Sequence, residues 1–122
     1  MRFMLIHYVP DAVAEQAEHS AEIEDALAAW VAQWTARGIL LHGDRLRPAA
    51  DATTVTVRGG EQLIADGPFA ETKEQVAGYD VIDCADLDQA IVVAAGHPTA
   101  RLGTIEVRRV AGAASRSPQS TR

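Results

Sequence analysis

The fold of this chain is decided by DGPFAETKEQVAGYDVIDCADLDQA, residues 66–90. Its first four residues predict a turn, because Gly67 can adopt a positive φ and Pro68 fixes the next φ at about −65°. Residues 76–84 are rich in β-branched and aromatic side chains, which predicts a strand. Asp86 then predicts the N-cap of a helix, with a glutamine three residues on, as in a capping box.

The N-terminal third predicts a buried strand followed by an amphipathic helix. Residues 2–9 are apolar on both faces, which is typical of a strand in the interior of a sheet. A helical stripe of apolar residues follows, and Gly38 provides its C-terminal stop. The stripe consists of Ile23, Leu27, Trp30, Val31 and Trp34.

The rest of the chain predicts more strands and a tail. Residues 39–46 predict a second strand, and residues 53–65 predict a hairpin that turns at Gly59-Gly60. The helix that begins at Asp86 is expected to run to Gly96, and residues 104–110 alternate as an exposed edge strand does. Residues 111–122 are small and polar, which predicts a disordered tail.

This order of elements predicts an α+β fold of the ferredoxin-like type, a split βαβ arrangement with an inserted β-hairpin. Residues 1–110 form one domain in this interpretation. Both helices are expected on one face of the sheet, which leaves an apolar second face. A homodimer that closes two sheets face to face would remove that face from water.

Composition excludes several classes of function. The chain has 122 residues, a formal net charge of −6 and a single cysteine, Cys84. An acidic chain lacks the basic face that nucleic acid requires, so no nucleic-acid partner is expected. One cysteine cannot form an internal disulfide. The apolar run at the N-terminus is too short for a signal peptide or a membrane span, so we expect a cytoplasmic protein without a membrane partner.

No motif for a cofactor or a metal is present in the sequence. There is no HxxE or HxH spacing, no Cys/His cluster and no glycine-rich phosphate loop between a strand and a helix. The sequence therefore predicts neither a cofactor nor a metal site.

Five residues are candidates for lining a pocket: His7, His42, Asp44, Asp66 and Tyr79. The two histidines lie in predicted strands and titrate near neutral pH, so either is a candidate general base or ligand donor. The alternative, which the sequence favours, is a strand histidine with one nitrogen hydrogen-bonded and no chemistry. Asp44 and Asp66 lie near strand ends, and the alternative for Asp66 is that its side chain closes the turn by accepting backbone N–H bonds.

Two other histidines are assigned structural roles. His19 lies at an acidic, exposed helix start. His97, which follows the second predicted helix, is expected as a cationic imidazole that complements the helix C-terminus.

The motif DGPFAETKE, the Gly-Tyr strand and the acidic-Leu-Asp helix start together resemble the YCII-related domain family in its DGPF-type branch. The resemblance runs from Met1 to about Val110 and implies a dimeric α/β barrel. In the family a helix histidine and the aspartate of an Asp-Pro step form a proposed catalytic pair. Here those positions fall near Leu27 and at His97-Pro98, so neither member of the pair is present and its mechanism does not transfer.

Two hypotheses about function follow. The first is an enzyme-like protein that binds a small molecule between the sheet and the 66–76 loop, without a cofactor. The second is a non-catalytic regulatory module, because the resemblance implies an association with extracytoplasmic-function sigma factors. A pocket in which two or more polar groups converge would favour the first hypothesis, and a filled apolar interior would favour the second.

Overall fold

The computed structural model describes residues 1–112. The predicted tail, 111–122, lies outside the described residues from position 113 onward. The elements in chain order are β1 (Arg2–Val9), α1 (Asp11–Glu18), α2 (Ala21–Ala36), β2 (Leu40–Arg45), β3 (Thr53–Arg58), β4 (Glu61–Asp66), β5 (Gln75–Asp83), α3 (Leu87–Ala95), α4 (Thr99–Leu102) and β6 (Thr104–Arg109), with one 3₁₀ turn at Ala49–Asp51.

Four strands form an antiparallel sheet in the order β2-β5-β1-β6. The predicted interior place of β1 and edge place of β6 are both confirmed. Alternate side chains of β1 are buried under the helices, namely Phe3, Leu5, His7 and Val9. This α+β arrangement, with the hairpin β3–β4 beside it, is consistent with the predicted ferredoxin-like plan.

The core lies between the inner face of the sheet and the helices α2 and α3. Leu5, Ile82 and Val93 are fully buried at its centre. Trp30 of α2 joins the two helices, since its indole N–H donates to the carbonyl oxygen of Val93 at 2.8 Å. The bond satisfies the one polar group of a large buried side chain, so Trp30 can lie deep in the core without an unpaired donor.

The helical region before β2 differs from the prediction. It contains two helices, α1 and α2, because Ser20 interrupts the first and caps the second, accepting the backbone N–H of Ile23 at 3.2 Å. The short helix α4 was also not predicted. The N-cap of α3 is confirmed, since Asp86 accepts the Gln89 N–H at 2.9 Å; the Gln89 side chain reaches back to the Ala85 N–H, one residue before the N-cap, at 2.8 Å.

The hairpin β3–β4 forms a separate two-stranded sheet. Its predicted glycine turn is confirmed, with φ of 57° at Gly59 and 80° at Gly60. Its aliphatic side chains Val55, Val57 and Ile64 are 58–60% exposed, and Phe69 beyond it is 90% exposed. Apolar groups of this size leave a large hydrophobic surface without a partner in the described part of the chain.

None of the helices within residues 1–112 has both the length and the apolar character that crossing a membrane requires.

Candidate functional site

A cavity of about 430 Å³ opens between the inner face of the sheet and the helices α1, α2 and α4. Its walls are apolar, with Val9 and Val76 from strands and Ala14, Leu27, Val31 and Leu102 from helices. Three polar side chains lie at its deep end: His7, Asp80 and His97. A concave apolar site with a few convergent polar groups is the usual form of a small-molecule site.

His7 and Asp80 form the centre of this polar cluster. In the register of β1 and β5, Asp80 lies opposite Leu5 and Gly78 lies opposite His7, so the two side chains are diagonal neighbours on one face. The Nε2 atom of His7 lies 2.7 Å from Oδ2 of Asp80. The side chains are only 5% and 11% exposed, so this contact is shielded from solvent.

His97 completes the cluster from the turn between α3 and α4. Its ring lies 4.3 Å from the ring of His7 and meets the edge of Trp30 at 4.6 Å, centroid to centroid. Its Nε2 is 3.7 Å from Oδ2 of Asp80. Burial of the ring, with a smaller contribution from the neighbouring His7, lowers the pKa of His97 to about 3. The prediction of a cationic His97 at the helix end is therefore wrong, because the buried imidazole is neutral at physiological pH.

Hydrogen bonds define which nitrogen of each ring carries the proton. The backbone N–H of Thr99 donates to Nδ1 of His97 at 3.0 Å, so the proton of the neutral ring is on Nε2 and points toward Asp80. Nδ1 of His7 is buried without a partner. With a proton on Nε2, His7 donates to Oδ2 of Asp80. Both imidazole N–H groups are thus directed at one carboxylate oxygen, Oδ2.

The three side chains also place possible metal-ligand atoms within 4.8 Å of one another. Two histidines and one carboxylate are a common ligand set for divalent transition metals. A ligating nitrogen must, however, be deprotonated, and the Thr99 N–H keeps the proton of His97 on the nitrogen that faces the cluster. The donor set therefore suits proton transfer better than it suits a metal ion.

Gly43 of β2 makes room for the Asp80 carboxylate. A Cβ atom at position 43 would overlap Oδ1 of Asp80 and lie 2.7 Å from the carbonyl oxygen of Tyr79. The close approach of the two strands at this point therefore requires glycine.

We expect Gly43→Ala to lower the free energy of unfolding by about 1–3 kcal/mol, the usual cost of forcing an extra carbon into a packed site. Urea unfolding at neutral pH measures this change. Gly60→Ala, at a turn glycine with φ of 80° and open space around it, is the comparison. It will strain the backbone but leave the NMR signals of the His7 and His97 rings in place, whereas Gly43→Ala will move them. Unmoved ring signals in Gly43→Ala would contradict this account of Gly43.

The five candidate residues do not come together. His7 lies at the deep end of the cavity, and Asp44 borders it. Asp44 pairs with Tyr79 in the register, which places their side chains on the opposite face of the sheet. There Tyr79 Oη lies 3.0 Å from Nδ1 of His42.

Asp66 lies apart from both groups, at the exposed end of β4. Within residues 1–112 its side chain makes no hydrogen bond; the turn is held by Thr54 Oγ1, which donates to the Gly67 carbonyl at 2.8 Å, and by the Gly67 N–H, which donates to Ala52 at 2.7 Å. The predicted turn-closing role of Asp66 is therefore wrong. The 66–76 loop does border a second, shallower depression beside Tyr8, and none of the five candidates lines it.

Sequence reasoning missed Asp80 and His97. For Asp80 a signal was available, because it alternates with Gly78 and Ile82 and so is a charged residue on the inner face of an interior strand. For His97 the signal was the resemblance, which places one member of the family's proposed pair at His97-Pro98, but the change of residue type led to a structural assignment. Its contact with His7 joins residues that are far apart in the sequence, and only the tertiary fold brings them together.

Residues 1–113 match the YCII-related domain. The chain is also similar to an uncharacterised protein of Rhizobium meliloti (strain 1021), with 46% identity over 69 residues. That match covers 55% of this chain and 56% of the relative, so the chain spans little more than half of the relative's length. The domain match extends over nearly the whole chain and agrees with the architecture described above: this protein belongs to the YCII-related domain family.

Proposed function

We propose that this protein, as a DGPF-type member of its family, binds a small organic molecule in the cavity and exchanges a proton with it through Asp80. The observation that carries the proposal is the buried Asp80 carboxylate, held beside two imidazoles at the deep end of an otherwise apolar cavity. Proton exchange of this kind requires no cofactor.

The geometry supports Asp80 as the group that accepts the proton. His7 and His97 both face Oδ2, and Oδ1 has no hydrogen bond from the side chains of the described residues. Oδ1 is therefore the atom available to a ligand. The protonated Asp80 can return the same proton to the ligand, and His97, neutral and with its proton on Nε2, is placed to donate a hydrogen bond in the same region.

The positions of the family's proposed catalytic pair support the same cavity. Leu27 and His97, where the resemblance places those residues, both line it. The cavity is thus the family's expected site with a different set of polar groups. Convergence of three polar side chains favours the enzyme-like hypothesis over the regulatory module linked to a sigma factor, which would need no such cluster.

We expect Leu27→Trp to fill the cavity and abolish binding of any ligand found by a thermal-shift screen. A true ligand raises stability by RT ln(1 + [L]/Kd), so a filled cavity removes the shift. The control is Ala28→Trp, which places the same side chain at the neighbouring, exposed position of α2. Ligands that stabilise Leu27→Trp as well as they stabilise the wild-type protein would contradict the proposed site.

We also propose that two copies associate through the outer face of the sheet. Met4, Ile6 and Val81 form an apolar strip there that the helices do not cover. The exposed aliphatic face of the hairpin is a second uncovered apolar surface on the same chain. In a two-fold symmetric dimer the same patch of each copy contacts the other copy. One such interface can cover both the apolar strip of the sheet and the aliphatic face of the hairpin.

Light scattering at micromolar concentration is expected to give twice the chain mass of 13.0 kDa. Ile6→Lys should reduce the measured mass to that of the monomer, because it places a charge in the middle of the apolar strip. Ala29→Lys, on the exposed side of α2, should leave the mass unchanged. A monomeric wild-type protein would refute the proposed assembly.

A further inference from the structure

The cavity has an excess of carboxylates. Six acidic residues line it, and two arginines lie at its mouth; Asp44 belongs to β2, and the other five acids approach from the helical side and from the deep end. These five acids are Asp11, Glu15, Glu18, Glu24 and Asp80, and the arginines are Arg45 and Arg47. A cleft lined mainly by one sign of charge concentrates the opposite sign.

Both arginines are already paired. Arg45 contacts Glu24 at 2.8 Å, and Arg47 contacts Asp51 at 2.8 Å. A phosphate or carboxylate group would compete with Glu24 and Asp51 for the two guanidinium groups.

The acids of α1 are arranged toward the cavity. Asp11, Glu15 and Glu18 fall at i, i+4 and i+7, which is one stripe of the helix, and within residues 1–112 none of them forms an ion pair. Like charges at i, i+4 destabilise a helix. This chain thus keeps an unfavourable stripe of carboxylates along the rim of the cavity.

The deep end provides an independent second observation. Asp80 is 8% exposed, and its Oδ1 makes no hydrogen bond with the side chains of the described residues. Nδ1 of His7 is buried without a partner. The Nε2 atoms of both imidazoles face Asp80 Oδ2, so Oδ1 remains as an acceptor at the deep end. An ammonium group has three donors and no acceptor, and it complements such a site.

We infer that the ligand of the proposed cavity is a cation: a compact apolar body that carries a primary ammonium group. The apolar walls contact the body, Asp80 binds the ammonium at the deep end, and the carboxylates of α1 attract the cation at the rim. This inference rests on the proposed function, because it names the class of molecule for the same cavity.

Three probes of nearly equal size test the inference: benzylammonium, benzyl alcohol and benzoate, each titrated at millimolar concentration into ¹⁵N-labelled protein. We expect signals of cavity residues to shift, with benzylammonium binding about fivefold tighter than the alcohol and about 25-fold tighter than benzoate, as for one charge at close range in water. Among the three probes, raising the salt concentration should weaken the binding of benzylammonium only. The difference in affinity between benzylammonium and the other two probes should therefore decrease.

Variants identify the carboxylates that cause the preference for benzylammonium. Glu15→Gln combined with Glu18→Gln should reduce the preference for benzylammonium over benzyl alcohol severalfold, and Asp80→Asn should reduce it further. Glu61→Gln, an exposed carboxylate at the hairpin turn, is the matched control and should change nothing.

Equal binding of the ammonium and the alcohol in the cavity, or tighter binding of benzoate, would overturn the inference while leaving the proposed small-molecule site intact. Failure of all three probes to shift any cavity signal would overturn the inference and count against the proposed function as well.

Discussion

Between pH 7 and pH 5 the wild-type protein will lose about 2 kcal/mol more of its free energy of unfolding than the variant His97→Gln. The cause is the burial of His97 in the folded state, which lowers its pKa from 6.5 to about 3. Between these two values the unfolded chain binds a proton at this position that the folded chain does not bind. The contribution of His97 is therefore fully present above pH 6.5 and is lost as the pH falls toward 3.

The full effect is large for a protein of this size. A difference of one pKa unit corresponds to about 1.4 kcal/mol, so the whole interval amounts to roughly 4–5 kcal/mol. Denaturant unfolding at pH 7, 6 and 5 measures the portion of this free energy that is lost at pH values higher than those at which carboxylates titrate. The slope against pH, rather than the absolute stability, is the quantity to compare, because His97→Gln changes packing too.

His19→Gln is the matched control for this measurement. His19 is exposed at the end of α1, so its replacement tests what the loss of a surface histidine does to the measurement. Should His97→Gln lose stability with the same slope as the wild-type protein, the neutral buried state of His97 would be refuted.

Trp30→Ala is expected to lower the free energy of unfolding by about 3–5 kcal/mol, as for other large aromatic side chains removed from a core. Trp30 is 3% exposed and donates a hydrogen bond to Val93, so its loss leaves both a cavity and an unpaired carbonyl oxygen. Its edge also covers His97. Water that enters the vacated space will raise the pKa of His97 toward its ordinary value.

Two measurements separate these effects: urea unfolding for stability, and an NMR titration of the His97 ring for the pKa. Trp34→Ala is the comparison, because Trp34 is equally buried in the same helix and makes its aromatic contact with Arg37 instead. Trp34→Ala should lower the free energy of unfolding by a similar amount and leave the pKa of His97 unchanged. A His97 pKa that stays near 3 in Trp30→Ala would mean that Trp30 does not exclude water from the site.

Local chemistry explains which parts of the fold could be predicted. The capping residue Asp86, the glycine turn of the hairpin and the alternation of the strands each act within a few residues, and the structure contains each of them. The break between α1 and α2 was missed, since continuous helical composition concealed the cap at Ser20.

The site was less predictable, because its parts are distant in sequence. His7 was a candidate, but its partners Asp80 and His97 come from β5 and from the turn after α3. The conspicuous motif residue Asp66 lies at the hairpin end, away from the cavity. The recognisable motif around Asp66 therefore did not locate the cavity. The alternation of side chains along β5, which places Asp80 on the inner face of the sheet, was the pattern that indicated a buried charge.

The central place of β1 in the sheet has a consequence for folding during synthesis on the ribosome. Both neighbours of β1, the strands β5 and β6, follow it much later in the sequence. At the usual 5–20 residues per second, its apolar side chains wait roughly 5–20 s for β6 to be synthesised. During that time Leu5 and its neighbours are accessible to any binding partner that recognises extended apolar segments, until β6 emerges and pairs with β1.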